Sequence, residues 1–395
     1  MRYKYWFILL AALLLAACSK ESDVTGGEPV PTPSPSNPTP SVPDVAENPL
    51  RLVGATRALS LSDAGEAFDP IHFFLMSGED DGSMTHKTEG EFTYDATTTP
   101  HWSSNIGLKN ASNCIYGFSP ASAALATIAP MSEGTSYKNG AKLTLTNISP
   151  VTGSDICVIV GVKHGKSAEE AAVTTEMEHW GKFYFEKATS NNYVSLLLDH
   201  LFAKISFSVK IDSEYHKMRS IKVKKIELLS DKTLTKVEVS LTANDTESGK
   251  DPIGTIVYTT DEVAGDADLP SGTIYDCAAD TDPNHSDGVD LPEDNSWVIP
   301  GYFAPSGAAE AAIGRHLSVR FTYDVYAYDV FDNNKKVRVR EDCVSVNKLP
   351  AVTIGKEKAD LKRGQSTTIT LTVKPTYLYM LAEEELDNPT IVVGN

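Results

Sequence analysis

The stretch Val194–Ile211, VSLLLDHLFAKISFSVKI, decides how the middle of this 395-residue chain folds. It contains three consecutive leucines, a polar break at Asp199-His200, and then a strict alternation of apolar and polar residues. Such alternation predicts a half-buried β-strand, because successive side chains of a strand point to opposite faces. The predicted inward set is Ile205, Phe207, Val209 and Ile211.

Length and charge bound what surrounds this strand. At 395 residues, with 41% hydrophobic residues, the chain is too long for one ordinary sandwich, so we expect two domains behind a removable leader. Acidic residues outnumber basic ones, 53 to 35, for a net charge of -18. Such a surface repels phosphate backbones, so the sequence predicts no nucleic-acid partner.

The N-terminus has the pattern of an export signal. Two basic residues precede the apolar run Tyr5–Leu15, which is too short to span a membrane as a mature helix, and small residues lead into Cys18. This pattern resembles a lipobox, which implies a signal peptide at 1–17 and acylation of Cys18. The following Lys20–Asp23 resembles the acidic tag of surface-exposed lipoproteins, so we expect an outer-membrane lipoprotein that faces outward.

A proline-rich segment separates the anchor from the folded part. Residues 18–49 hold regularly spaced prolines among Ser, Thr and Asn, a composition typical of a solvated polyproline tether. Short apolar runs separated by Gly, Pro, Asn and Ser follow, which predicts an all-β fold. We place an N-terminal β-sandwich domain at 50–190 and a C-terminal one at 191–395.

The central stretch also carries a resemblance. Its segment DHLFAKISFSV is similar to the central motif of the fimbrillin-like family, the type V pilins and related surface lipoproteins of Bacteroidales-type bacteria. The resemblance implies two tandem transthyretin-like β-sandwich domains and a structural or accessory subunit of a type V pilus that serves surface adhesion. Its implied partners are other pilin subunits, outer-membrane lipid and surface ligands of host or bacteria. The motif residues are His200, Leu201, Ala203 and Lys204.

The resemblance further implies assembly by donor-strand exchange. Arg57-Ala58 is similar to the site at which maturing pilins are cut by an arginine-specific protease, although an ordinary first strand with an exposed arginine explains it equally well. The implied displaced strand contains Leu50, Leu52, Val53, Leu59 and Leu61. The candidate donor strand of the next subunit contains Ile391, Val392 and Val393.

The sequence contains no complete catalytic or metal-binding motif. The run Ile156–Val162 followed by Gly165-Lys166-Ser167 and the helix-prone Ala168–Trp180 mimics a phosphate-binding loop, but Val160 stands where the first glycine is required. Asp280 opens a calcium-like spacing in which His285 occupies the glycine position, which favours a solvated acidic loop. We therefore expect no enzyme, no cofactor and no metal, and we expect His200 to pack or to form hydrogen bonds at the domain seam.

Two questions stay open at the level of sequence. The aromatic strand residues Tyr323, Tyr326 and Tyr328 allow an alternative function, a surface lipoprotein that binds glycans for a polysaccharide-uptake system, although aromatic residues are common in strand cores.

The second question is the redox state of four cysteines, two in each predicted domain, which form either one disulfide per domain or buried thiols. They are Cys114, Cys157, Cys277 and Cys343.

Overall fold

The fold is described from a computed structural model of the chain. The structure describes residues 50–57, 69–78, 84, 86–95, 101–104, 106–108, 112–131, 136–151, 153–187, 191–244, 250–263, 269–293, 297–305, 316–329, 331–349, 353–354, 357–358, 363–374 and 390–394. Cys18, Ala58, Leu59 and Leu61 lie outside these residues. None of the helices among the described residues is long and apolar enough to cross a membrane.

Strands dominate the described residues, which confirms the all-β prediction. In chain order the strands are β1 (Leu50–Arg57), β2 (Ile71–Gly78), β3 (His86–Asp95), β4 (His101–Ser103), β5 (Ser112–Ser119), β6 (Leu125–Pro130), β7 (Gly140–Thr146), β8 (Cys157–Gly165), β9 (Tyr184–Glu186), β10 (Asn192–His200), β11 (Phe202–Ile211), β12 (Arg219–Ser230), β13 (Lys232–Thr242), β14 (Ile253–Glu262), β15 (Ser271–Asp276), β16 (Val289–Asp290), β17 (Trp297–Pro305), β18 (Leu317–Asp329), β19 (Lys335–Lys348), β20 (Thr353–Ile354), β21 (Glu357–Lys358), β22 (Ser366–Lys374) and β23 (Thr390–Gly394). Two single α-helical turns accompany them, α1 (Ala168–Ala171) and α2 (Ser213–His216).

The largest sheet collects most of the N-terminal strands in the order β1-β10-β8-β5-β2-β3-β4, with β9 beside β5. Its central strands β2 and β5 are buried at nearly every position because both faces of the sheet are covered. In β2, Phe74 and Met76 belong to one hydrophobic core, whereas Phe73 and Leu75 belong to a second core on the opposite face. The second core also contains Leu50 and Leu52 of β1.

A second sheet joins the two halves of the sequence. Its order is β14-β13-β7-β6, so β7 from the N-terminal half pairs with β13 from the C-terminal half. Leu143 and Leu145 of β7 lie opposite Val239 and Val237 of β13, and all four side chains are buried. All described residues belong to one compact unit, and the division at 190/191 stays a prediction.

The central stretch forms two strands that enter different sheets. After β10 the chain bends at Leu201 and continues as β11 in a sheet of order β17-β11-β22-β23. The alternation predicted for β11 is confirmed, since its four apolar side chains are at most 1% exposed. The hydrogen-bonding partners therefore change just after His200, ten residues beyond the predicted boundary.

The remaining large sheet has the order β15-β12-β18-β19, with β16 beside β12. Within this sheet, β19 runs over Lys335–Lys348 beside the long partner β18. In the first sheet, one local prediction differs from the structure. The helix-prone Ala168–Trp180 forms only α1 and a 3-10 turn at Glu176–His179, because Trp180 bridges to Gly161 of β8.

Candidate functional site

The first feature that bears on function is β1, the strand predicted to be displaced. It lies at one end of the largest sheet and pairs in parallel with β10 from Leu50 opposite Asn192 to Arg57 opposite Leu198. The register shifts between Leu52 and Gly54, which is a local bulge. Within the described sheets, β10 is the one strand to which β1 is hydrogen-bonded as a ladder.

Two leucines anchor β1 against the second core. Leu50 is 1% exposed and Leu52 is 6% exposed, whereas Val53 is 36% exposed and faces outward. The backbone N–H of Leu50 also donates to the carbonyl of Ile106 at 3.2 Å. Burial of a leucine contributes roughly 1.5–3 kcal/mol, so the two anchors together supply about 3–6 kcal/mol.

The outward side of β1 carries one further contact. The Arg51 guanidinium lies 5.6 Å from the centre of the Tyr193 ring, and its Nη1 donates to the Tyr193 hydroxyl at 3.1 Å. At an exposed site such a cation–π contact is worth about 0.5–1 kcal/mol. β1 is therefore held by its hydrogen-bonded ladder to β10, by the buried side chains of Leu50 and Leu52, and by the surface contact between Arg51 and Tyr193.

The predicted donor segment is β23, and it is engaged within its own chain. It pairs antiparallel with β22 at the end of that sheet, with Ile391 opposite Val373 and Val393 opposite Leu371. Val392 lies opposite Thr372 between them. A donor role thus requires β23 to leave β22 first.

The family-like motif lies where the chain passes between sheets. His200 ends β10, Leu201 forms the bend, and Ala203 and Lys204 begin β11. Leu201 is fully buried, and its N–H donates to the Ile156 carbonyl at 2.8 Å. The motif therefore lies at the junction between two sheets.

A polar cluster is buried at this junction. His200 lies directly opposite Cys157 in the ladder between β10 and β8, and Asp155 precedes Cys157 by two residues. The His200 Nδ1 lies 2.6 Å from Asp155 Oδ2 and 3.5 Å from Cys157 Sγ. The three residues are 1%, 8% and 0% exposed, respectively.

This cluster does not have the geometry of a nucleophile relay. A cysteine–histidine–aspartate relay uses the two different ring nitrogens, one toward the nucleophile and one toward the carboxylate. In this cluster the thiol and the carboxylate both approach Nδ1 of His200. Sequence reasoning missed the cluster because its members are up to 45 residues apart. The spacing of two residues between Asp155, just before β8, and Cys157, its first residue, was the available signal, because an extended chain places such side chains on one face.

An ion-pair network continues from the same junction. Asp199 Oδ1 accepts from the backbone N–H of His200 at 2.8 Å, and its Oδ2 pairs with Arg363. The Arg363 guanidinium also pairs with Asp251. Gly364 donates its N–H to the Phe202 carbonyl at 2.9 Å. These contacts tie β10, the start of β22 and the segment before β14 together.

The phosphate-loop mimic is a tight packing site. A Cβ on Gly161 would lie 2.2 Å from the His179 carbonyl oxygen, so the glycine allows a close backbone approach. The Lys166 backbone N–H donates to Glu170 Oε2 at 2.8 Å, and the Glu170 N–H donates to Ser167 Oγ. A carboxylate thus takes the place that a phosphate would need.

The acidic loop uses its carboxylates to build turns. Asp280 Oδ2 accepts from the His285 ring at 2.8 Å, and Asp282 Oδ1 accepts from the Asn284 backbone at 2.9 Å. The backbone N–H of Asp282 and the His285 ring lower the pKa of the Asp280 carboxyl. This arrangement agrees with a solvated acidic loop.

Beside these turns lies an open cleft of about 490 Å³. It contains Tyr275 and Trp297, whose ring centres are 4.7 Å apart at 88°. Burial and neighbouring carboxylates raise the pKa of the Tyr275 phenol. The cleft is otherwise lined by Thr273, Ile274, Asp276, Ala279, Asp280, Asp282 and His285.

The tyrosines and cysteines singled out in the sequence occupy ordinary positions. Tyr323 is 5% exposed, and burial raises its pKa to about 12, so it is a core residue; Tyr326 and Tyr328 are half-buried. The four described cysteines are thiols and not disulfides. Two of them, Cys114 and Cys157, are fully buried.

No model of a known protein family matches the sequence, and no curated protein matches it. The chain is similar to several solved structures. A fimbrial protein from Bacteroides vulgatus is 13% identical, with a TM-score of 0.40, over 88% of this chain and 97% of that one. A candidate cell adhesion protein from Bacteroides fragilis is 12% identical, with a TM-score of 0.37, over 89% and 97%. The fimbrial anchor protein of Porphyromonas gingivalis is 9% identical, with a TM-score of 0.28, over 87% and 95%.

The names of these structures agree with the fimbrillin-like resemblance of the sequence.

Proposed function

We propose that this protein is a structural or accessory subunit of a type V pilus, exported as a lipoprotein and joined to other subunits by strand exchange. In this proposal acylated Cys18 holds the protein at the outer membrane until it is cut after Arg57, the assembled fimbrium serves surface adhesion, and the protein has neither catalytic activity nor a cofactor. The supporting observation is β1, an edge strand with two buried anchors that ends at Arg57.

The position of Arg57 matters for this proposal. Arg57 is the last residue of β1, so cleavage of the Arg57-Ala58 bond cuts the covalent link between the whole strand and the rest of the folded chain. While the bond is intact, the strand is held near its slot by the chain at a high effective concentration. After cleavage it is a separate segment held by a few kcal/mol, which a competing strand can exceed.

The vacated slot would be the free edge of β10 together with the two leucine sites. An unpaired edge offers a row of backbone donors and acceptors to an incoming strand, and the sites select apolar residues two positions apart. In β23, Ile391 and Val393 have the spacing of Leu50 and Leu52. β23 has five residues against eight in β1, so neighbouring residues of the tail must add to the ladder.

Digestion with an arginine-specific protease tests the proposal. We expect the wild-type protein to acquire Ala58 as its N-terminus and to form oligomers that resist dodecyl sulfate, and we expect Arg57→Gln to stay monomeric. Arg51→Gln is the matched control, because Arg51 lies in the same strand but upstream of the cut. Cleaved wild-type protein that remains monomeric, or Arg57→Gln protein that assembles equally well, would contradict strand exchange.

A second candidate function rests on the cleft beside β15. Its volume lies within the 300–1,000 Å³ typical of small-ligand sites, and it combines Tyr275 and Trp297 with carboxylates that accept hydroxyl hydrogens. This supports a surface lipoprotein that binds neutral glycans for a polysaccharide-uptake system. Trp297→Ala should then abolish binding to a neutral polysaccharide in calorimetry, whereas Phe331→Ala, at a residue 97% exposed elsewhere, should not. Equal binding by both variants would exclude the cleft.

A further inference from the structure

The buried cluster at the sheet junction combines three kinds of metal-ligand atom. Asp155 offers a carboxylate oxygen, Cys157 a sulfur and His200 a ring nitrogen, and these atoms all lie within 4.8 Å of one another. All three side chains are at least nine-tenths buried. Their positions are set by rigid elements, since His200 and Cys157 face each other across the β10 and β8 ladder.

Two contacts converge on one ring nitrogen of His200. A ring nitrogen has a single in-plane position, which holds either one proton or one lone pair. The 2.6 Å contact between His200 Nδ1 and Asp155 Oδ2 uses that position fully. The approach of Cys157 Sγ to the same nitrogen, at 3.5 Å, is not required by that bond. A cation placed between the three atoms would use all of them.

The distances suit a tetrahedral ion after a small adjustment. Metal–ligand bonds of about 2.0 Å to nitrogen and oxygen and about 2.3 Å to sulfur give tetrahedral edges of about 3.6 Å for N···S and about 3.3 Å for N···O. The observed N···S distance of 3.5 Å already matches its edge. The N···O distance of 2.6 Å is shorter than its edge and must open by about 0.7 Å when an ion binds.

Charge balance favours the same assignment. A divalent ion bound by one carboxylate and one thiolate is neutral overall, and a buried site must be nearly neutral. Binding sends the thiol proton to solvent and requires the His200 ring to be neutral with its proton on Nε2. A mixed nitrogen, oxygen and sulfur set with tetrahedral edges is the donor set that zinc prefers.

We propose that Asp155, Cys157 and His200 form a buried binding site for Zn²⁺ that joins β8 to β10 at the passage between sheets. Asp155 can bind through one or both carboxylate oxygens. The site is structural, because its three ligands are buried. It does not depend on whether the chain polymerises.

Cobalt titration of the purified full chain, after treatment with a chelator, tests this site. We expect one Co²⁺ per chain, with a near-ultraviolet thiolate-to-cobalt band that added Zn²⁺ removes. Cys157→Ser should lose this band, and Cys114→Ser, which removes another fully buried thiol, should keep it. His200→Gln should weaken Co²⁺ binding by at least the roughly 10-fold that loss of an outer-shell partner costs. Absence of the band in the wild-type protein, or its survival in Cys157→Ser, would overturn the proposal.

A second measurement needs no substitution, in case the Ser variant fails to fold. Thiol alkylation in moderate urea, followed by peptide mass mapping, reports the reactivity of each cysteine. Zn²⁺ should slow the labelling of Cys157 and leave the labelling of Cys114 unchanged. Equal rates for Cys157 with and without Zn²⁺, or equal slowing at both cysteines, would also overturn the assignment.

Discussion

Weakening the anchors of β1 should open the edge of β10 locally. In the double variant Leu50→Ala/Leu52→Ala, each substitution removes a leucine that is at most 6% exposed. Leucine-to-alanine changes in cores cost about 2–5 kcal/mol, and an edge strand relaxes readily, so we take about 2 kcal/mol for each. The double variant should therefore lower the free energy of detaching β1 by about 4 kcal/mol. Since about 1.4 kcal/mol is a factor of ten, the open population rises about 1,000-fold.

Hydrogen exchange measures this opening at individual amides. Amides of β10 that bond to β1 should exchange faster by about that factor, whereas amides of β18, in another sheet, should change little. Val53→Ala is the control, because Val53 lies in the same strand and is 36% exposed; its effect should stay within about 0.5 kcal/mol.

Two outcomes would refute this reasoning. A change of less than about tenfold at β10 would mean that the leucines contribute under about 1.4 kcal/mol to holding the strand. Equal acceleration at β10 and β18 would mean that β1 opens only with the whole fold. Either result would remove the physical basis for a replaceable first strand.

Two further perturbations test the fold around the site. A Cβ on Gly117 would lie 2.1 Å from a carbonyl oxygen of β2, so Gly117→Ala should lower the free energy of unfolding by at least about 2 kcal/mol in urea titration. Gly254→Ala is the control and should change this free energy little, because a Cβ on Gly254 would come no closer than 3.7 Å to any non-neighbouring atom of the described residues. Burial alone lowers the pKa of Lys224, but hydrogen bonds to Asp342 and Asp324 outweigh it and raise the pKa from 10.5 to about 12. The charged Lys224 ammonium therefore stabilises the folded state relative to the unfolded state below pH 10.5. This stabilisation is lost as the pH rises through 12. Urea titrations across this range should show the loss in the wild-type protein and a smaller one in Asp342→Asn; identical profiles would contradict the assignment.

Local sequence patterns predicted the strands well where a single structural rule determines the pattern. In β11, each apolar residue faces the core because a strand alternates its side chains, and this period is a property of the backbone. The continuous apolar runs of β2 and β8 likewise reflect sheets covered on both faces. The segment Glu176–His179 belongs to a helix-prone run but forms a 3-10 turn, because the tertiary pairing of Trp180 with Gly161 overrides the local helix propensity.

The order of strands in the sheets depended on contacts distant in sequence. That β1 runs parallel to β10, and that β7 pairs with β13, follows from packing between segments about a hundred residues apart, and strand pairing of this kind leaves no local trace. The same is true of β23, which the sequence predicts as a donor strand for the next subunit and which is paired with β22 of its own chain in the fold.

By itself, the sequence determined the β-rich class and the alternation of β11, because each depends on composition or short-range periodicity, and on the same grounds it predicts an export signal and a tether. Only the tertiary structure decided that Asp155 and Cys157 meet His200 and that β1 occupies an edge. Both results come from the pairing of β8 and β1 with β10, and hydrogen-bonded backbones, unlike side-chain patterns, do not reveal their partners until the chain is folded.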